Sequence, residues 1–130
     1  MSVRLINPDT LTKPVGYSHA AIGSGDVLEL AGQVGWDREE KFADGLVAQV
    51  AQALDNLVAV LDACGRGAED LARLRIYTVD VAGYRDNLKE IGGVYRERFG
   101  KHFPAMTLVG VAALFDPGAL VEIEGVAYVD

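Results

Sequence analysis

Polar and apolar residues alternate along two stretches of this chain. In Leu71–Val79, Leu74, Ile76 and Thr78 fall on one side and Arg73, Arg75 and Tyr77 on the other. In Leu120–Val129, Val121, Ile123, Ala127 and Val129 point one way, while Leu120, Glu122, Glu124, Val126 and Tyr128 point the other. A period of two predicts strands with one buried face. Between Asp44 and Cys64 the period lengthens: Leu46, Val50, Leu54, Leu57 and Leu61 recur at helical spacing. Asp44 is read as the N-cap of that helix, and Gly65 as the left-handed residue that ends it. A second helix is predicted over Ala82–Phe99, with Tyr84, Leu88, Ile91, Tyr95 and Phe99 on its buried face. Gly92 and Gly93 fall inside it, where each costs about 1 kcal/mol relative to alanine, and close packing is taken as their reason. Residues 107–114 are apolar at almost every position, which predicts a strand buried on both faces.

Shorter signals complete the pattern. Val3–Ile6 reads as an opening strand stopped by Asn7-Pro8-Asp9, and Asp116-Pro117-Gly118 as a turn. Tyr17–Ile22 and Val27–Val34 read as a hairpin about Gly23-Ser24-Gly25-Asp26. No Gly-Lys-Ser/Thr follows these glycines, so they mark a turn rather than a phosphate cradle. The element order implies an α+β domain spanning residues 1–130, a mixed sheet with two helices on one face. Leu120, Val126, Tyr128 and the second side of the 107–114 strand are then left uncovered, which predicts an obligate oligomer.

Composition narrows the functional classes. Half of the 130 residues are hydrophobic, enough for one real core. A net charge of −7, with Lys and Arg scattered among acids, argues against nucleic acid as a partner. No run of about 18 apolar residues spans a bilayer, and no signal-peptide pattern opens the chain. Cys64 is the single cysteine and lies on the helical stripe, so a buried structural thiol in a cytoplasmic protein is expected. His19 and His102 are neither spaced nor grouped for a metal site, and no metal is expected. Trp36 stands alone in a polar loop, where it either folds back on the core or lines a pocket. The structural role is the favoured one.

Several short motifs, in order, resemble one known family. They are Gly16-Tyr17-Ser18, Ala31-Gly32-Gln33, Ala53-Leu54-Asp55-Asn56-Leu57, Ile76-Tyr77-Thr78-Val79-Asp80, Phe103-Pro104-Ala105 and Val121-Glu122-Ile123-Glu124. Together they resemble the Rid family, also called YjgF, reactive-intermediate deaminase or L-PSP endoribonuclease. The resemblance implies a chorismate-mutase-like subunit in a homotrimer with a central β-barrel and three ligand clefts between subunits. It also implies hydrolysis of reactive enamines and imines without metal or cofactor. In deaminating members an arginine follows the Pro-Ala pair and clamps the substrate carboxylate. Here that position is Met106, which offers neither charge nor a useful donor. An asparagine common in the second helix corresponds to Gly92.

The resemblance retains Glu122 at the position of the active-site carboxylate, Tyr17 at that of the cleft tyrosine, Gly32 as a residue presenting backbone, and the Thr107 hydroxyl. Glu122 is read as the general acid/base or water-orienting group, or else as an interface carboxylate; the first reading is preferred. Glu124 on the same face is assigned a structural pairing. Tyr17 either bonds a ligand or packs at an interface, and Met106 either contacts ligand or fills the arginine's space. Arg75 or a backbone amide is the reserve holder of a carboxylate. Two functions follow: a trimeric enzyme adding water to a small unsaturated amine, or a non-catalytic trimer binding a metabolite or stabilising a partner. A ribonuclease role is disfavoured by the acidic charge and the missing histidine acid–base pair.

Overall fold

The computed structural model describes residues 3–130. Along the chain run β1 (Val3–Ile6), β2 (Ala20–Gly23), β3 (Asp26–Val34), α1 (Leu46–Ala63), a 3₁₀ turn (Ala68–Asp70), β4 (Leu71–Thr78), α2 (Val81–Asp86), α3 (Leu88–Phe99), β5 (Ala105–Gly110) and β6 (Val121–Val129). The main sheet has the order β3-β6-β4-β5. β6 is antiparallel to both its neighbours, and β5 runs parallel to β4. This is the α+β mixed sheet that the alternating pattern implied.

The core lies between one sheet face and the helices. Leu74, Val121, Ile123 and Ala127 meet Leu57 of α1, all 0% exposed, and Ile91, Tyr95 and Phe99 of α3 close the same cluster. α1 is long and apolar enough, by length and composition alone, to cross a membrane. Its apolar stripe of Val50, Ala53, Leu54, Leu57 and Leu61 is nevertheless buried in that cluster. At its end, Gly65 (φ 68°) lets Arg66 N–H reach Leu61 O at 2.9 Å and Gly65 N–H reach Asp62 O at 3.0 Å, the paired closure expected of a left-handed glycine.

Other expectations are corrected. The N-cap of α1 is Gly45 (φ 90°), not Asp44. Cys64 is exposed, because it caps the helix beyond its last buried turn. β2 ladders with β1 rather than with β3, whose partner is β6. The second helical stretch is two helices with a break at Asn87, whose side chain bonds Gly83 O at 2.7 Å and whose carbonyl accepts from Ile91 N–H at 2.9 Å. One residue thus closes α2 and starts α3. The break leaves Leu88 57% exposed, outside the buried face. A methyl group on Gly93 would touch nothing within 4 Å and one on Gly92 only the Arg96 side chain, so packing within this chain does not explain the pair. Residues 107–110 are exposed and the strand ends at Gly110, because β5 is an edge strand covered on neither its outer side nor its open face. Leu120 packs against the core cluster instead of facing outward. Trp36 lies on its own loop against Phe42, ring centroids 5.4 Å apart.

Leu57→Ala should cost about 2–5 kcal/mol, read from urea unfolding, because its site is closed on all sides. A second expectation concerns alkaline pH. Burial pushes the Tyr84 phenol up to about 12, and raises that of Tyr95 as well. The unfolded chain loses these protons first, so the stability they supply is complete below pH 10 and falls as pH rises toward 12. Urea midpoints measured over that window should decline, and Tyr84→Phe should flatten the decline.

Candidate functional site

The pleat of β6 sends Val121 and Ile123 into the core and Glu122 to the opposite, open face of the sheet. Glu122 is paired in register with Val34 on β3 and Tyr77 on β4. At this level β3 has a register irregularity between Leu30 and Gln33. Gly32, within it, leaves room for the carboxylate: a methyl group there would fall 2.1 Å from Glu122 Oε2. The glycine therefore serves as a seat for Glu122. No hydrogen bond or ion pair engages the Glu122 carboxylate among the described residues.

Glu124 behaves differently. Two residues further along β6, in register with Arg75, it accepts a short hydrogen bond from the Tyr77 hydroxyl. That bond, with desolvation and the charge of Glu124 behind it, raises the Tyr77 phenol above its usual value. One of the two carboxylates is therefore committed to a partner, while the other stands ready.

The remaining candidates do not converge within one chain. Met106 is in register with Leu74 and packs against the core cluster, on the helix side of the sheet. Gly92 lies on α3, also on that side. Thr107 is in register with Arg75, and its Oγ1 accepts from Arg73 Nη2 at 2.6 Å. Tyr17 sits outside the start of β5, because Ser18 bridges to Ala105 and donates its N–H to Pro104 O at 3.0 Å. Its ring meets His19 edge-on, centroids 5.5 Å apart. His102 is occupied with Leu71 O at 2.7 Å. Among the described residues no three His, Cys, Asp or Glu side chains are grouped to hold a metal ion. Sequence reasoning missed Arg73 and the Tyr77–Glu124 bond. The alternation in β4 exposed these side chains, but only the strand order shows what lies opposite them.

Residues 9–129 match the family model described as Endoribonuclease L-PSP. A RutC family protein of Pyrococcus horikoshii is 32% identical over 126 residues, covering 95% of this chain and 96% of that protein. The 2-iminobutanoate/2-iminopropanoate deaminase of Dermatophagoides farinae is 31% identical over 129 residues, covering 98% and 97%. Among solved structures, a protein of unknown function of the conserved Rid family, YyfB from Yersinia pestis, superposes with a TM-score of 0.90 at 38% identity, covering 99% of this chain and 100% of that one.

The seat under Glu122 is testable. Gly32→Ala should displace the carboxylate and lower the thermal midpoint, whereas adding Glu122→Ala should restore it. The double-mutant cycle should give a coupling of about 0.5–3 kcal/mol.

Proposed function

This chain belongs to the Rid (YjgF) family, whose sequence model carries the description endoribonuclease L-PSP, and on that footing we propose that it hydrolyses a small reactive enamine, imine or related unsaturated amine at clefts between the subunits of a homotrimer. The observation that carries this reading is the state of Glu122: a carboxylate on the open face, seated by Gly32 and engaged by no hydrogen bond or ion pair among the described residues. A carboxylate kept only for structure would be expected to have a partner, as Glu124 has Tyr77. The similarity to the 2-iminobutanoate/2-iminopropanoate deaminase of Dermatophagoides farinae lends support.

The chemistry asks for proton transfers and a positioned water. An enamine first tautomerises to its imine. Water then adds to the carbon of the protonated imine as Glu122 takes one of its protons, leaving a neutral carbinolamine. Glu122 returns that proton to the nitrogen, which departs as ammonia when the C–N bond breaks, and the hydroxyl proton passes to Glu122 to leave the carbonyl product. Met106, where the family resemblance places an arginine, lies beside Leu74 and adds no cation to the open face. The preferred substrate is therefore one that does not rely on a guanidinium at that position, rather than an ordinary 2-imino acid.

A second reading is a trimer that binds a metabolite or steadies a partner without turnover. Met106 turned into the core and the side-chain-free surface at Gly92 and Gly93 favour it. One experiment separates the two. Ammonia release is followed from freshly generated 2-aminoacrylate, longer imino acids and uncharged enamines. Glu122→Gln should reduce turnover at least about a hundredfold while the trimer persists on size-exclusion chromatography. Loss of the trimer instead makes Glu122 a structural interface residue. A wild-type trimer inert toward the whole panel favours the binding module.

A further inference from the structure

The main sheet ends in β3 on one side and β5 on the other, and among the described residues only the Ser18–Ala105 bridge touches an outer edge. On the open face each of these strands leaves an apolar residue in water. Val27 of β3 is 54% exposed, and Val109 of β5 is 42% exposed. Unpaired outer strands of this kind invite another chain alongside.

The charges on the same face are sorted across it. Glu29 of β3 is exposed and engaged by no hydrogen bond or ion pair among the described residues. The cations stand on the other side, as Arg73 and Arg75 of β4, next to β5. Arg73 leans farther that way, its Nη2 donating to Thr107 Oγ1 of β5 at 2.6 Å. Arg75 is half-buried and, among the described residues, has no hydrogen bond or ion pair at all. Glu124 is directly opposite it in register, where an ion pair would ordinarily form. The Tyr77 hydroxyl holds Glu124 instead. A half-buried guanidinium without a counter-charge is costly. Within one copy β6 keeps acid and cations apart, since Val126 stands between Glu29 and β4.

We propose that Arg75 of one copy is the counter-charge of Glu29 on the next, so that the β4–β5 side of each subunit recognises the β3 side of its neighbour. This rests on the homotrimer of the reading above, though not on its chemistry. Side by side about a two-fold axis, like edges meet, and Glu29 faces Glu29. Head-to-tail joining brings opposite charges together and continues until a ring closes. The other unengaged acid on the face is Glu122, seated against Gly32 of its own chain. It is the rival partner for Arg75.

The test follows the assembled mass of the full chain by light scattering across a urea series. The wild type should be a trimer without urea. Glu29→Lys and Arg75→Glu should each make dissociation at least about tenfold easier at a fixed urea concentration, and the two together should restore the wild-type midpoint. The two residues do not touch within a copy, so restoration reports a contact between copies. Glu39→Lys, which makes the same change in net charge on the exposed loop after β3, should not rescue Arg75→Glu. Glu122→Gln should leave the midpoint where it is. If a charge-reversed chain does not fold by circular dichroism, Glu29→Gln and Arg75→Gln carry the comparison, and their double variant should lose no more than either alone. A wild type that is not a trimer overturns the proposal together with the homotrimer reading. An intact trimer overturns the proposal alone in any of four cases: single variants without effect, a double variant that is not restored, rescue by Glu39→Lys, or a loss with Glu122→Gln equal to that with Arg75→Glu.

Discussion

A strand hydrogen-bonded on both sides has two faces and no edge, and β6 is such a strand. Val121, Ile123 and Ala127 are fully buried under the helices. Because the pleat repeats every two residues, burying those three obliges Glu122, Glu124 and Val126 to stand on the other face. A slip of one residue would drive two carboxylates into the core, at a cost no nearby cation could offset. Core formation and the display of Glu122 are therefore one constraint seen from two sides.

The entry to β6 is held as firmly as its middle. Thr78 Oγ1 donates to Leu120 O at 2.8 Å, and Leu120 N–H donates to Gln49 Oε1 at 2.8 Å. The Gln49 amide, 3% exposed, also donates to Gly118 O at 3.0 Å, so α1, β4 and the turn before β6 are tied at one point. Glu122 follows two residues later. The water-orienting role proposed for Glu122 would benefit from such a mounting, since an element fixed on three sides positions more accurately than a loop.

Regular alternation made β4, β6 and the buried stripe of α1 legible before any coordinates, because each pattern has one physical solution. What failed was whatever depended on a partner. Tyr17–Ile22 carried a hairpin signal toward β3, yet β2 pairs with β1, and turn chemistry alone does not choose between them. Residues 107–114 have the composition of a doubly buried strand, but composition does not reveal an edge position. Asn87 could have been read as a breaker; the continuous run of apolar spacings hid it. Glu122 and Gly32 were both singled out, while their contact was not, since a glycine's emptiness acquires meaning only when a neighbour is seen to fill it. Met106 was recognised for what it lacks, and the register with Leu74 adds that it faces the core.

The sheet order also dictates a sequence of events during synthesis. β4, α2, α3 and β5 are neighbours in the chain and can associate locally, as can β3 with α1. The strand that joins these halves follows all of them, and its ladder with β3 closes a loop running from Val34 to Glu122. Until a ribosome has passed β6, β3 has no partner in the main sheet and one side of β4 is bare. Loop closure of that length slows folding, and unpaired strand edges attract other nascent chains. The strand made after its neighbours is the one they have been waiting for.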